Sequence, residues 1–479
     1  MVIGLASLVG YFIIHKSHAA GADINGDGVI NISDLSILAA HFGMLGQTFS
    51  TGDLNGDGVV NISDLSILAA AWGQVGSGTG VIPASFFSMD FSNGNPPDEY
   101  TTLTVSIGDL GKETAAEWGN IEPTAPTGSG CPGTVNCTHT YNWTRLDSYL
   151  TTATAHNLPF QWTWEAAPAW ASNNNPTGPV TDNADFDAFV NTLVTRYNGN
   201  NGHGLISAYE VNNETDFSGT VAQLAAQTNR FVNDIKAVNP TALIVGIGMA
   251  QPDTYYAPGN MFDQFWADWK AINPNAHLDV ISYHGYPHTG NPVPETIMGP
   301  VSGVPCTSGY AACIKAAITR NGLPASTKIW DTEGSWGCNS ASSDCNGSRD
   351  NPLLTSAQQV AFVARYLMLT WSAGVSRQNW YSWDEVSWGR LIGTPAATAY
   401  QQVENWMVGN TMNQPCTATG TVWTCGFSNS TLAVWNTAGS SSYTPAAGYI
   451  HYKDLAGGTT NFTSGSAITI GTQPLLLTH

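Results

Sequence analysis

Between Val81 and about Asn410 the chain alternates between two periodicities. Short runs rich in β-branched and aromatic residues predict strands at Phe86–Phe91, Leu103–Leu110, Leu158–Trp164, Ile206–Asn212, Leu243–Met249, Val280–His284, Lys328–Thr332 and Gln378–Trp383. The stretches between them repeat every three to four positions, as a buried helix face does. Phe186, Phe189, Val190, Leu193, Val194 and Tyr197 form one such stripe. Val221, Leu224, Ala225, Thr228, Phe231, Val232 and Ile235 form another. Eight strands in this alternation predict a (β/α)8 TIM barrel over residues 81–410. An open doubly wound sheet is the alternative, but no Gly-rich phosphate loop supports it. Beyond residue 410 the helical period disappears. Thr421–Cys425, Leu432–Asn436, Tyr449–Asp454 and Ala467–Leu477, separated by Gly/Ser/Thr turns, predict a C-terminal β-sandwich over 411–479.

Two of the barrel strands end alike. One begins Leu205-Ile206 and closes in Tyr209-Glu210-Val211-Asn212-Asn213-Glu214. The other begins Lys328-Ile329-Trp330 and closes in Asp331-Thr332-Glu333-Gly334. An apolar strand with a polar C-terminal end suits a barrel that delivers side chains to a site on its rim. Two carboxyl groups from distant strands can share the work of cleaving a glycosidic bond, one protonating the leaving oxygen and one attacking the sugar or activating water. Glu214 and Glu333 are therefore the candidate catalytic residues. Asn213 stands where it can hydrogen-bond a sugar hydroxyl. Ser282-Tyr283-His284-Gly285-Tyr286 brings an imidazole and phenols to the same rim, and His284 also fits a hydrogen-bonded core histidine. Trp383, Trp164, Trp170 and Trp336 lie at strand ends or in neighbouring loops, where an indole either stacks on a sugar or packs the core. Glu165, Glu210, Asp331 and Glu385 are competing carboxylates. Glu210 reads as a buried, hydrogen-bonded barrel residue and Asp331 as a brace for a neighbour.

Ahead of the barrel lies an internal repeat with a period of 30 residues. Asp23-Ile-Asn-Gly-Asp-Gly-Val-Ile-Asn-Ile-Ser-Asp34 matches Asp53-Leu-Asn-Gly-Asp-Gly-Val-Val-Asn-Ile-Ser-Asp64. Each copy is a calcium loop of the EF-hand kind. Asp23, Asn25, Asp27, Asn31 and Asp34 supply oxygens at positions 1, 3, 5, 9 and 12, and the Val29 carbonyl fills position 7. Asp53, Asn55, Asp57, Val59, Asn61 and Asp64 repeat the set, with Gly28 or Gly58 making the turn. A short helix follows each loop. Leu35, Leu38 and Phe42 are expected on one face, and Leu65, Leu68 and Trp72 in the second copy. The module spans 23–73, and 74–80 is a Gly/Ser linker.

Composition narrows the partners. With 15 basic and 35 acidic residues the net charge is −20, which disfavours nucleic acid or an anionic membrane. Charged residues are only 10% of the chain while Trp numbers 17, a balance that suits a neutral carbohydrate. The eight cysteines fall as close pairs, 131/137, 306/313, 338/345 and 416/425, without the spacing of a zinc site. Local disulfides in an exported, secreted or cell-surface protein are expected. Residues 1–22 carry an apolar run to Ile14, followed by Ser17-His18-Ala19 at a signal-cleavage spacing. A signal peptide is the expectation. An N-terminal anchor is the alternative, and only that would place the chain on a membrane.

Several of these motifs resemble known families. The tandem loop-helix units resemble the dockerin module of cellulosomal enzymes, which also carries Asp at position 12. The resemblance implies two structural Ca2+ ions and a cohesin-type partner. The module is N-terminal here, and positions 10 and 11 read Ile-Ser in both copies, where many dockerins carry a small polar pair. A calcium-stabilised spacer is the plainer reading. Tyr209-Glu-Val-Asn-Asn-Glu214 resembles the fourth-strand motif Trp-Glu-Val-Trp-Asn-Glu of clan A glycoside hydrolases, and Ile329-Trp-Asp-Thr-Glu333-Gly their seventh-strand motif. Trp118-Gly-Asn-Ile-Glu-Pro123 and Tyr141-Asn-Trp-x-Arg-Leu-Asp147 are similar to segments of families near the β-xylosidases and α-L-iduronidases. The resemblance implies a retaining β-glycosidase acting on a polysaccharide or oligosaccharide, with Glu214 as acid/base and Glu333 as nucleophile and no cofactor for catalysis. Asn213, His284, Tyr286 and Trp383 would line the subsite of the attacked sugar. Asn212 stands where such families have Trp, Thr215 where they have Pro, and Ser106–Leu110 lacks an Arg that many carry. A catalytically silent carbohydrate-binding or scaffold protein on the same barrel is the second reading.

Overall fold

A computed structural model describes residues 24, 32–47, 51–54, 58–70, 80–91, 100–111, 116–214, 217–286, 293–337, 353–385 and 388–479. The chain forms two compact units, Met1–Gly80 and Val81–His479. The expectations for residues 1–22, for Asp23, Asn25, Asp27, Val29, Asn31, Asn55, Asp57 and Trp72, for most of the linker and for the Cys338/Cys345 pair lie outside the described residues. No helix among the described residues is long and apolar enough to cross a membrane.

The small unit carries the helices Ile32–Ala40 and Ile62–Ala70, one after each loop. Ile24, Leu38, Leu54, Val60 and Leu68 form its core, with Leu35 and Leu65 packed against them. Position 12 of each loop is buried. Asp34 Oδ1 accepts the Ile24 N–H at 2.7 Å, and Asp64 Oδ1 accepts that of Leu54 at 2.8 Å, so each carboxylate ties the start of its loop to the helix. Asp53 Oδ2 accepts the Gly58 N–H at 2.8 Å, and Gly58 takes the positive φ of 84° that the turn requires. Phe42 departs from expectation. The first helix stops at Ala40, so the ring falls beyond the stripe and is 49% exposed.

In the large unit β1 (Phe87–Met89), β2 (Asp109–Leu110), β3 (Phe160–Thr163), β4 (Ile206–Glu210), β5 (Leu243–Met249), β6 (Val280–His284), β7 (Lys328–Gly334) and β8 (Arg377–Trp380) close a parallel barrel in chain order. Helices follow where the stripes placed them, among them Asn183–Arg196 and Val221–Val238. Thr220 caps the second through a box with Gln223, and Thr355 caps Ser356–Ser372 through Gln358. Inside the barrel Ala208, Val245, Val280 and Trp330 fill one layer. Strand β2 is much shorter than expected. Gly108 lies so close to Ala84 that a Cβ there would come within 2.0 Å of its carbonyl, and pairing begins only at Asp109.

The closing domain consists of a six-stranded antiparallel sheet and a two-stranded one. Its strands are β9 (Gln414–Thr419), β10 (Val422–Phe427), β11 (Thr431–Asn436), β12 (Ser441–Tyr443), β13 (His451–Lys453), β14 (Thr459–Asn461), β15 (Ile468–Ile470) and β16 (Leu475–Thr478). The run Ala467–Leu477 is two strands, β15 and β16, because Gly471-Thr-Gln-Pro474 interrupts it. Val434 and Leu477 pack with Ile468 and Ile470 between the sheets, while Ala433, Trp435 and Leu476 belong to the barrel's own core. Trp435 Nε1 donates to Glu295 Oε1 at 2.7 Å, and Glu295 also takes the buried Arg365 guanidinium of helix Ser356–Ser372. Disulfides join Cys131 to Cys137, Cys306 to Cys313 and Cys416 to Cys425, as the spacing predicts.

Candidate active site

The C-terminal ends of β4, β6 and β7 bring Glu214, His284 and Glu333 together. One carboxylate oxygen from each glutamate and a ring nitrogen of His284 all lie within 4.8 Å of one another. Their convergence depends on two local departures from regular geometry. Glu214 adopts a positive φ of 52°, rare for a residue with a side chain and common at functional turns. Asn212 Nδ2 donates to the Glu214 carbonyl at 2.5 Å and holds that turn. Asn213 is paired through its backbone with Gly248 and is buried beside the same turn.

On β7 strict alternation would turn Glu333 away from the barrel. Trp330 and Thr332 face inward, Trp330 into the apolar layer and Thr332 Oγ1 onto Glu210 Oε1 at 2.7 Å. The pairing with β6 then shifts, from Tyr283 opposite Asp331 to His284 opposite Glu333. The extra residue re-aims the Glu333 side chain into the mouth, as bulges next to active sites do.

His284 is buried, with Nδ1 at 2.8 Å from Glu214 Oε1 and 3.6 Å from Glu333 Oε2. Its Nε2 has no hydrogen-bond partner among the described residues. The tautomer protonated on Nδ1 therefore leaves no donor unsatisfied and places an N–H between the two acids. The Tyr286 hydroxyl donates to Glu333 Oε1 at 2.6 Å. Burial, and then the negative fields of Tyr381, Glu214, Asp90 and Asp331, hold the Tyr286 phenol above its ordinary value, so it keeps the proton it donates. Three donors this close would also suit a divalent cation. His284 holds one oxygen of Glu214, and Tyr286 holds one oxygen of Glu333.

Glu210 lies one layer down and is a structural carboxylate. Gln161 Nε2 donates to it at 3.0 Å, Thr163 Oγ1 at 2.9 Å and Thr332 Oγ1 at 2.7 Å. Gly248 leaves it room: a Cβ there would stand 2.9 Å from Glu210 Oε1 and 2.8 Å from His284 Nε2. Strand β2 lacks an arginine, but Arg377 reaches across from β8. Its Nη1 lies 2.8 Å from Asp109 Oδ2, and its Nη2 donates to the Leu110 carbonyl at 2.6 Å. Burial pushes Asp109 up to about 7 against the pull of Arg377 and the Leu110 N–H.

Three of the four tryptophans expected at the sugar, Trp164, Trp336 and Trp383, are buried packing residues, which corrects the sequence reading for them. Trp164 lies among Trp118, Trp162, Phe186 and Phe231, on the helix side of the barrel. Trp336 is buried against Phe362 and Tyr366. Trp383 is buried and donates its N–H to Thr102 Oγ1 at 3.1 Å, and half-buried Trp170 donates to the Glu122 carbonyl at 3.0 Å. The aromatic wall beside Glu333 is built from other residues. Trp388 packs on Tyr286 at 4.8 Å between ring centroids, and Tyr381 stands edge-on to the same ring at 6.4 Å. Trp388 and Tyr381 are both partly exposed and follow β8. The only sequence signal for Trp388 is its place just beyond the last barrel strand.

Residues 21–71 match the dockerin type I domain family. Asp34, Asp53 and Asp64, drawn inward as oxygen donors around a very small core, fit the calcium such a domain holds. No curated protein sequence matches the chain. Among solved structures it is similar to a family 39 glycoside hydrolase from Bacteroides cellulosilyticus WH2, with a TM-score of 0.60 at 15% identity over 82% of this chain and 80% of that one. It is similar to a monomeric β-xylosidase from Caulobacter crescentus CB15, with a TM-score of 0.54 at 10% identity over 84% and 97%. A glucosidase from Croceicoccus marinus gives 0.50 at 14% identity over 80% and 82%. The chain thus joins a dockerin type I match at its N-terminus to the eight-stranded barrel fold found in these glycoside hydrolases.

Proposed function

We propose that this chain is a retaining glycoside hydrolase that cleaves β-linked polysaccharide or oligosaccharide outside the cell. Its calcium-loaded dockerin would dock to a cohesin-type partner. The observation that carries the reading is that one carboxylate oxygen of Glu214 and one of Glu333 come within 4.8 Å of each other across the barrel mouth, close enough to favour the shorter of two known spacings. Retaining enzymes hold their carboxyl groups roughly 5–5.5 Å apart, and inverting ones need about 6.5–9.5 Å to admit a water.

In this reading Glu333 attacks the anomeric carbon as a carboxylate, with Tyr286 holding one oxygen and aiming the other. Glu214 gives its proton to the departing oxygen and then, as a base, takes one from the water that releases the sugar. His284 orients Glu214 through the 2.8 Å contact. Asn213 is the donor to a sugar hydroxyl beside the scissile bond, and Trp388 with Tyr381 forms the wall against the ring. Asp34, Asp53, Val59, Asn61 and Asp64 would hold calcium together with the loop residues Asp23, Asn25, Asp27, Val29, Asn31, Asn55 and Asp57. The ion would supply structure only, and the glycosidic chemistry needs no cofactor.

A panel of aryl glycosides and polysaccharides tests the reading. Glu333→Ala is expected to abolish turnover of every substrate. Glu214→Ala should fail most on poor leaving groups, and azide should rescue it as a glycosyl azide of retained configuration. Proton NMR of the first-formed anomer reads the stereochemistry. An inverted product, or normal turnover by Glu333→Ala, would sink the assignment. Sugar binding without any hydrolysis would favour a carbohydrate-binding barrel instead.

A further inference from the structure

We infer that Asp331 and Tyr366 close a hydrogen-bonded ring around Gly285 and so position both partners of the glutamates, His284 and Tyr286, which flank that glycine. The inference rests on the reading of Glu214 and Glu333 as the reacting pair.

Because Trp330 and Thr332 face into the barrel, Asp331 faces out, into the layer beneath helix Ser356–Ser372. Asp331 and Tyr366 are both fully buried there. The Gly285 N–H donates to Asp331 Oδ1 at 3.0 Å while also donating to the Glu333 carbonyl at 2.9 Å. Tyr366 Oη contacts Asp331 Oδ2, and it lies 2.9 Å from the Gly285 carbonyl. A phenol has one proton, and the carbonyl can only accept, so the Tyr366 proton belongs with Gly285 O. The contact with Asp331 is then satisfied by a proton on the carboxyl group. Gly285 N–H to Oδ1, Oδ2–H to Tyr366 Oη and Tyr366 O–H to Gly285 O complete a ring in which every donor meets an acceptor.

Sterics point the same way. A Cβ at Gly285 would stand 1.9 Å from Tyr366 Oη and 2.4 Å from Asp331 Oδ2. A Cβ at Gly334 would stand 2.5 Å from the same Asp331 oxygen. Glycine on both sides gives the carboxyl group its room. Two further tyrosines extend the pattern: Tyr256 Oη donates to the Ser282 carbonyl at 2.6 Å, and Tyr310 Oη to that of Tyr286 at 2.8 Å. The exit of β6 is thus pinned at three carbonyls by phenols from outer elements. Asp331 meets Tyr366 from helix Ser356–Ser372, Gln378 from β8 and the field of Glu210 from the barrel interior, while Tyr283 of β6 and Tyr310 act on Tyr366. Burial pushes Asp331 up to about 8, which agrees with a neutral carboxyl group at physiological pH.

The test compares Tyr366→Phe, Asp331→Ala and Asp331→Asn in the full chain. An Asn amide can accept from Gly285 through Oδ1 and donate to Tyr366 Oη through Nδ2, so it rebuilds the ring. In Tyr366→Phe and Asp331→Ala, kcat on an aryl glycoside should fall about tenfold to hundredfold, with KM changed less than about threefold. Asp331→Asn should stay near wild type. Carboxyl-13C NMR of glutamate-labelled protein needs no turnover. The titration midpoints of Glu214 and Glu333, assigned with Glu214→Gln and Glu333→Gln, should move in Tyr366→Phe and Asp331→Ala and hold still in Asp331→Asn. If Asp331→Ala does not fold, Tyr366→Phe against Asp331→Asn carries the same comparison. A folded Tyr366→Phe with wild-type kcat and unmoved midpoints overturns the inference, and so does an Asp331→Asn with low kcat and shifted midpoints. A wild type that cleaves no glycoside would defeat the proposed function, while the midpoints would still decide the ring.

Discussion

The small unit buries Asp34 and Asp64 beside an apolar core of Ile24, Leu38, Leu54, Val60 and Leu68. The large unit buries Glu210 and Asp331 inside an extensive core of aromatic and aliphatic side chains. The same chemical group does different work in the two places. In the small unit little apolar surface is available, so bound calcium would have to stand in for a core. In the barrel the core is already sufficient, and a carboxyl group can be kept neutral or fully hydrogen-bonded to hold other groups in place. The two units should therefore respond in opposite ways to metal and to pH.

The largest expected effect is loss of metal. A chelator added to the full chain should abolish the melting transition of residues 1–80 and leave that of residues 81–479 unchanged in calorimetry, because binding free energy here is folding free energy. An unshifted profile would erase the distinction between the units.

Next comes the seam between barrel and sheet. Glu295→Ala leaves the buried Arg365 guanidinium without its carboxylate and Trp435 Nε1 without its acceptor. A loss of about 3–5 kcal/mol is expected in denaturant titration of the large unit. A loss below about 1 kcal/mol would mean that the tie is no stronger than a surface pair.

A subtler effect is the response to pH. Burial pushes Asp331 up to about 8, and Asp109 and Glu404 up to about 7, from ordinary values of 3.8, 3.8 and 4.5. Below the ordinary values these groups are protonated whether the chain is folded or not, and their contribution is whole. Between the ordinary and the raised values the unfolded chain has released protons that the fold retains, so stability drains away as pH rises towards about 8. The large unit should melt at lower temperature at pH 8 than at pH 5, and Asp331→Asn should flatten that slope. Calcium is held only by ionised carboxylates, so the small unit should lose stability in the other direction, on acidification. A large unit that gains stability as pH rises would contradict the neutral Asp331.

The smallest effect should come from Phe42→Ser. Its ring lies past the end of the helix and is half exposed, so the change should stay within about 0.5 kcal/mol.

How far the sequence could be read depended on whether a feature was periodic. The strands that deliver Glu214 and Glu333 were legible because an apolar run gives way to a polar end at one place. That Glu333 would turn into the mouth was not, since alternation alone sends it outward and only the shifted pairing with β6 reverses it. Trp164, Trp336 and Trp383 show another limit. An indole packs a core and floors a sugar site with equal ease, and the choice is made by neighbours far away in the chain, such as Phe231, Phe362 and Thr102. The Tyr366 contact could not be found by pattern at all. Helix Ser356–Ser372 is buried on nearly every side, so no stripe marks the face that meets Asp331.

The six-stranded sheet contributes Ala433, Trp435 and Leu476 to the barrel's own core. Its removal would therefore be felt first as a question of solubility. A chain cut after residue 410 would present the apolar flank of helix Ser356–Ser372 to water, and molecules so exposed tend to adhere to one another before any sugar is offered to them. An inactive truncation would then report precipitation rather than the loss of an accessory part. Exchanging this sheet for that of a relative would require the surface it rests on to be exchanged as well.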